Sequence, residues 1–457
     1  MRRRPFFAML LVPALLAVCV SEALGQGNNT TTFNAGIRID ANGVVARAFS
    51  KANAKSLSRE RTLAAKNSTL PADMNQHSAL RKVSLVRLEA QCAEYFDAGK
   101  PIPPEMFYLA GLQRIEYLFV FPETNDVVIA GPAEGFYPSM SGSVVGSENG
   151  RPVLRLDDLL VALRSVRRAD HLGCSIDPEP GKLSAMTRYI NANSSPATAG
   201  VIRGRYQRMK RILGMQNVSV TGVPEDSHYA RVLVAADYRM KLISLGLEKP
   251  GVRGLSSHLS LLKGGGNAIQ RWWFTPLYDA FQTNPDHTAF QFNGQRAQLM
   301  SQQEFVDAAG NRSNANFTKV STQRFAKLFT QSFPELAERV PLFGELANLV
   351  DLAVLAALID KEQIGEKTNW SMALFLDAQR APIQTAEVPK QVASLVALKS
   401  LKGGRSIIGL VGGGVTINPR RTLRDSEFSA DESEALGTVR KESASTRVPQ
   451  EHPWWWD

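Results

Sequence analysis

The sequence predicts an α+β fold: helices packed on β-hairpins and antiparallel sheet in one or two modules, with a mobile N-terminal arm and a disordered C-terminal tail. Three observations carry that expectation. Runs rich in β-branched and aromatic residues come in pairs around short turns, as 115–121 and 127–130 do. Helical spacing occupies other stretches, most clearly 229–243. Polar residues dominate 26–77 and the residues beyond Asn418, leaving few apolar positions to anchor either end.

The elements follow in order. Residues 1–25 read as a signal peptide: Arg2, Arg3 and Arg4 precede an apolar run over 6–20, and Ala23 and Gly25 supply the small residues before a cut at Gln26. That run is shorter than the roughly 20 residues needed to span a bilayer, and Val18 is too branched for a lipid-attachment box at Cys19. Export to the periplasm, the cell envelope or the outside follows. In the arm, 26–77, Ile37-Arg38-Ile39 and Val44-Val45 flank Asn42-Gly43, a hairpin signal.

An N-terminal module, 78–197, begins with Leu80, Val83, Val86, Leu88 and Cys92 at helical spacing. A helix opening at Pro104, the strand pair around 122–126 and a helix bearing Leu159, Leu160 and Leu163 come next, capped by Asp157 or Asp158. A C-terminal module, 198–417, opens with a basic helix over 199–213. A strand at 218–223 and a helix capped by Asp226 or Ser227 and ending at Gly246 come after it.

Residues 270–300 form a hairpin or meander around Asn284-Pro285-Asp286, and two helices follow, divided at Pro334. The second is apolar enough to resemble a membrane span. Glu345 and Asp351 interrupt it, each at a cost of about 2.5 to 3.5 kcal/mol at a bilayer centre, so a buried core helix is expected and no transmembrane helix after leader cleavage. Residues 407–417, with Gly412 to Gly414, read as strand–turn–strand or a covering strand, and 418–457 as the tail, ending in Trp454, Trp455 and Trp456. Those tryptophans are a docking element or an exposed end.

The net charge of +10 stays basic once the leader and its arginines are gone. In an exported protein that balance points to an anionic envelope polymer or another envelope protein as partner rather than to nucleic acid. Arg203, Arg205, Arg208 and Arg211 form the densest basic helix. Trp272 and Trp273, adjacent in a strand, point to opposite faces, one to the core and one free to stack on a sugar or peptide. Cys92 and Cys174 are candidates for one disulfide in an oxidising compartment, or for two buried thiols.

Catalytic signals are thin. Asp226, Ser227 and His228 gather three catalytic residue types, yet consecutive helical residues point about 100° apart and triad members come from separate elements. Ser260 to Lys263 match Ser-x-x-Lys without its companion motifs. No histidine pair stands at metal-ligand spacing and no phosphate loop occurs, so neither a metal nor a cofactor is expected. A non-catalytic binding or structural protein of the envelope is the preferred function, and an envelope hydrolase with an unassigned active site the alternative.

The strings Gly222-Val223-Pro224, Ser227-His228 and Ala235-Ala236-Asp237-Tyr238-Arg239-Met240-Lys241 resemble a secreted family of planctomycete-type bacteria. Arg271-Trp272-Trp273-Phe274, Gly131-Pro132-Ala133-Glu134-Gly135 and Gly173-Cys174-Ser175-Ile176-Asp177 do likewise. That family carries only a domain-of-unknown-function label. The resemblance covers most of 78–372 and implies export, with no reaction, ligand or catalytic residue to transfer.

Overall fold

The computed structural model describes residues 70–457, apart from 140, 196, 264–268, 307–311, 315–317, 401–405, 427, 432–433 and 446–448, together with one strand pair in the arm. Residues 1–25, the stretch read as a signal peptide, with Cys19 in it, lie outside the described residues. The arm's hairpin is present, with Ala35–Ile39 antiparallel to Val45–Phe49.

Two mixed, mainly antiparallel sheets organise the rest, so the fold class is α+β. The larger sheet runs Arg312–Asn314, Arg296–Val306, Ile269–Leu277, Ser406–Ile417, Leu172–Asp177, Met215–Thr221, Gln391–Ala393, and an eighth strand, Val396–Ser400, pairs with Ser406–Ile417 off this path. The smaller runs Phe428–Ala430, Phe281–Thr283, Ala289–Phe292, Tyr117–Phe121, Asp126–Ala133, Ser78–Ser84, Trp455–Trp456. Both sheets take strands from either side of residue 197, so that boundary does not divide the β-structure into two modules. Between Leu277 and Arg296 the chain leaves the larger sheet, adds two strands to the smaller and returns.

The helix Pro341–Lys361 is the centre of the core. It is long and apolar enough to cross a membrane, but it is almost wholly buried among Leu156–Val166, His228–Ser244 and Val320–Arg339. Its acids have partners there. Asp351 accepts from Tyr278 Oη at 2.6 Å and pairs with Arg296 at 3.2 Å, while Glu345 faces His228. The helix boundary falls at Val340, not at Pro334, which sits inside Val320–Arg339. Val340 is extended because Pro341 follows it, and Pro341 opens the next helix without losing a hydrogen bond.

Three further expectations need correction. Residues 78–84 are a strand, because Asp126–Ala133 pairs one edge and Trp455–Trp456 the other. The helix starts only at Leu85, where Ser84 Oγ accepts from Arg87 N. Residues 406–417 are one continuous strand rather than strand–turn–strand, and Gly413 is needed within it: a Cβ there would press on the Trp272 carbonyl and Asp237.

The tail is not disordered. It forms the helices Pro419–Asp425 and Ala435–Ser445 and ends in a strand. Trp454, Trp455 and Trp456 are all buried, so they form a docking element. Arg81, itself fully buried, meets Asp457 at 2.7 Å and lies over the Trp455 ring, which supplies the anchor that composition did not reveal.

Candidate functional site

The chemistry of the 224–228 turn is local for Ser227 and long-range for His228. Ser227 caps the His228–Ser244 helix: its Oγ accepts from Ala230 N at 3.1 Å and donates to Pro224 O at 2.7 Å. The hydroxyl is therefore committed to the backbone. Asp226 is exposed and does not join it. His228 turns inward, where Nδ1 meets Asp158 Oδ2 at 2.9 Å and Nε2 faces Glu345 Oε1 at 3.9 Å. Asp226, Ser227 and His228 thus do not assemble as a triad.

Both inward carboxylates come from other helices. Asp158 sits in the first turn of Leu156–Val166, where helix-dipole charge favours an acid, while Arg155 rather than an Asp occupies the cap position. Beside it, Asp157 accepts from Gln384 N at 3.2 Å and lies 3.6 Å from Arg155. Burial pushes the Asp157 carboxyl up to about 6, against the pull of Arg155 and with help from Asp158. This cluster can hold a proton and bind helices together. The contacts of His228 given by the described residues are carboxylates, so no activated nucleophile is built on it.

A second buried pair lies on the same helix. Lys241 Nζ meets Asp237 Oδ2 at 2.8 Å, one turn apart, and also donates to Ile176 O. Burial raises the Asp237 carboxyl and Lys241 opposes that rise. Cys174 lies nearby, and burial above all, with the Asp237 charge, raises its thiol. Cys92 is pushed up to about 12, first by burial and then by Glu89. Both cysteines are free, so the candidate disulfide is not formed: each side chain is packed separately into the core. Among the described residues no cluster of His, Cys, Asp and Glu has the form of a metal site.

Trp272 and Trp273 separate by face, as strand geometry requires. Trp272 is fully buried against His258 and Phe325 and donates through Nε1 to Thr322 O, while Trp273 is half-buried on the opposite face.

The basic helix has a partner helix just before it in the chain. Pro180–Ala192 packs against Ala199–Leu213, and Leu183, Met186, Met209 and Leu213 enclose a small core with Val396. Tyr206 Oη ties the second helix to Val396 O at 2.7 Å. Arg205 folds back to Ser195 O. Arg203, Arg208, Lys210 and Arg211 are exposed, and none has a carboxylate partner among the described residues. At about 100° per residue these four fan over the solvent side of the helix. Between Glu179 and Glu225 the chain carries seven Lys and Arg and no Asp or Glu. That absence of acids was the sequence signal for the hairpin as a unit. The carboxylates that meet His228 gave no such signal, being distant in the chain.

Residues 174–258 match a family model described as Protein of unknown function (DUF1598). The match takes in the basic hairpin, His228 and the Asp237–Lys241 pair. It agrees with the domain-of-unknown-function label implied by the resemblance, over a shorter stretch. No curated protein and no solved structure matches.

Proposed function

We propose that this is an exported, non-catalytic binding protein of the cell envelope, and that the hairpin 180–213 is its contact surface for an anionic polymer. One observation carries the reading: a two-helix projection with its own small core, four exposed cations on one helix and no acid within it. Such a surface attracts polyanions over a Debye length of about 10 Å at 0.1 M salt. The leader read in residues 1–25, with a cut before Gln26, supports envelope polymers rather than nucleic acids as the partner. The alternative, an envelope hydrolase, rests on the His228–Asp158 pair. Glu345 at the other ring nitrogen, where a nucleophile's hydroxyl would be required, weighs against it.

The test is retention on polygalacturonate beads. The protein is expected to bind at low salt and elute as salt rises, and R203Q/R208Q/K210Q/R211Q to elute much earlier with unchanged circular dichroism. Equal elution of the two proteins, or passage of both at low salt, refutes the hairpin as the contact. Natural material from the envelope fraction is expected to begin at Gln26.

A further inference from the structure

A cleft of about 320 Å³ opens where the chain crosses between the two sheets. Leu277, Asp279, Gln295 and Arg296 line it from the crossing segments, Gln113 and Arg114 from the approach to the Tyr117–Phe121 strand, and Asn348 from the core helix. Two features show that its walls are built under constraint. Arg296 has a left-handed backbone, φ 75°, a conformation unfavourable for a residue with a side chain. That conformation accompanies bonds from the guanidinium to Asn348 Oδ1 at 3.0 Å and Asp351 Oδ2 at 3.2 Å. Gly294, φ 122°, lies where a Cβ would come within 2.8 Å of Asp279 N, so the segments can close up only without a side chain there.

The charges of the lining are unequal in their commitments. Arg296 is held by Asp351, and Arg151 by Glu338. Arg114 is not matched in this way. Its Nε is buried and has no hydrogen-bond partner among the described residues. That Nε does lie 3.7 Å from Glu116 Oε1, a long ion pair, and Nη2 stands 3.5 Å from Phe292 O. A buried donor left unmade is costly, and a guanidinium edge fits a carboxylate through two parallel bonds.

We propose that this cleft binds a small organic carboxylate, with Arg114 receiving the anionic group and the Gln295 amide oxygen, whose Nε2 alone is engaged with Ala297 O, accepting from its hydroxyl or amino groups. One guanidinium held only by long contacts suits a monoanion. Asp279 and Glu338 disfavour a dianion such as phosphate and can accept O–H or N–H donors. The volume lies at the small end of ligand sites, which suits a sugar acid or an amino acid. This assignment does not depend on the basic hairpin.

Calorimetric titration of the full chain with D-glucuronate, L-alanine, D-glucose and inorganic phosphate tests it. D-glucuronate, L-alanine or both are expected to bind, and the one that does identifies the source; glucose and phosphate are expected not to bind. Arg114→Gln should weaken that binding at least tenfold. Gln295→Glu, which adds a negative charge to the lining and leaves Arg114 in place, should do the same if Arg114→Gln fails to fold. The proposal is overturned if neither carboxylate binds, if phosphate or glucose binds as tightly, or if the folded variants keep their affinity.

Discussion

His258 and Asp157 are buried side chains whose ionisation acts on stability in opposite directions. Burial pushes His258 down to about 4, reinforced by Lys319, so the folded state refuses a proton that the unfolded chain takes up. Its contribution is complete above pH 6.5 and is lost as pH falls toward 4. Asp157, raised to about 6, holds its proton more tightly when folded, so its contribution is present near pH 4 and is lost as pH rises to 6. Each is worth about 3 kcal/mol across its window, and the two nearly cancel. Asp157→Asn is therefore expected to lose about 3 kcal/mol relative to wild type as pH falls from 6.5 to 4. His258→Phe, in a site already lined by Trp272 and Phe325, should gain a similar amount over that range. Urea unfolding at several pH values measures both; a variant-minus-wild-type difference that stays flat disproves the assigned ionisation.

At the scale of elements, the tail shows how a short segment acquires structure. Trp455 and Trp456 add two residues to a sheet edge, and so short a strand has little stability of its own. Its position is held by side chains: Arg81 under Trp455, Arg87 over Trp456, and Asp457 closing the ion pair with Arg81. Trp455→Ala is expected to cost about 3 to 5 kcal/mol in urea unfolding, as large-to-small core substitutions do. Unchanged stability would return the tail to a free end. The same dependence explains the helical spacing that runs through 80–92. Leu80 and Val83, three apart, satisfy a helical period; in the strand they fall on opposite faces and pack into different clusters, and the edges supplied from 126–133 and 455–456 decide for the strand. By contrast, the His228–Ser244 helix was legible because its start is written locally, with Pro224 before the turn and Ser227 capping Ala230 N.

For the whole molecule, the interleaving of strands sets the unit of folding. Leu172–Asp177 lies between Ser406–Ile417 and Met215–Thr221, so a chain beginning at residue 198 lacks a central strand and exposes two edges. The fragment 198–457 is expected to aggregate or to lack the near-ultraviolet dichroism of the intact protein; a native-like spectrum would restore two independent modules. Alternation and turn residues specified most of the helices and hairpins and the opposite faces of Trp272 and Trp273, because each depends on neighbours within a few positions, and Glu345 and Asp351 marked Pro341–Lys361 as a buried helix rather than a membrane span. The sequence by itself also carried the basic balance and the acid-free stretch that became the hairpin. Tertiary structure alone decided which sheet received each strand, that Cys92 and Cys174 stay apart as thiols, that His228 meets Asp158 and Glu345, and that Arg114 faces a cleft. Those outcomes depend on groups separated by tens to hundreds of residues, whose meeting is set by how apolar faces pack together and leaves no periodic trace along the chain.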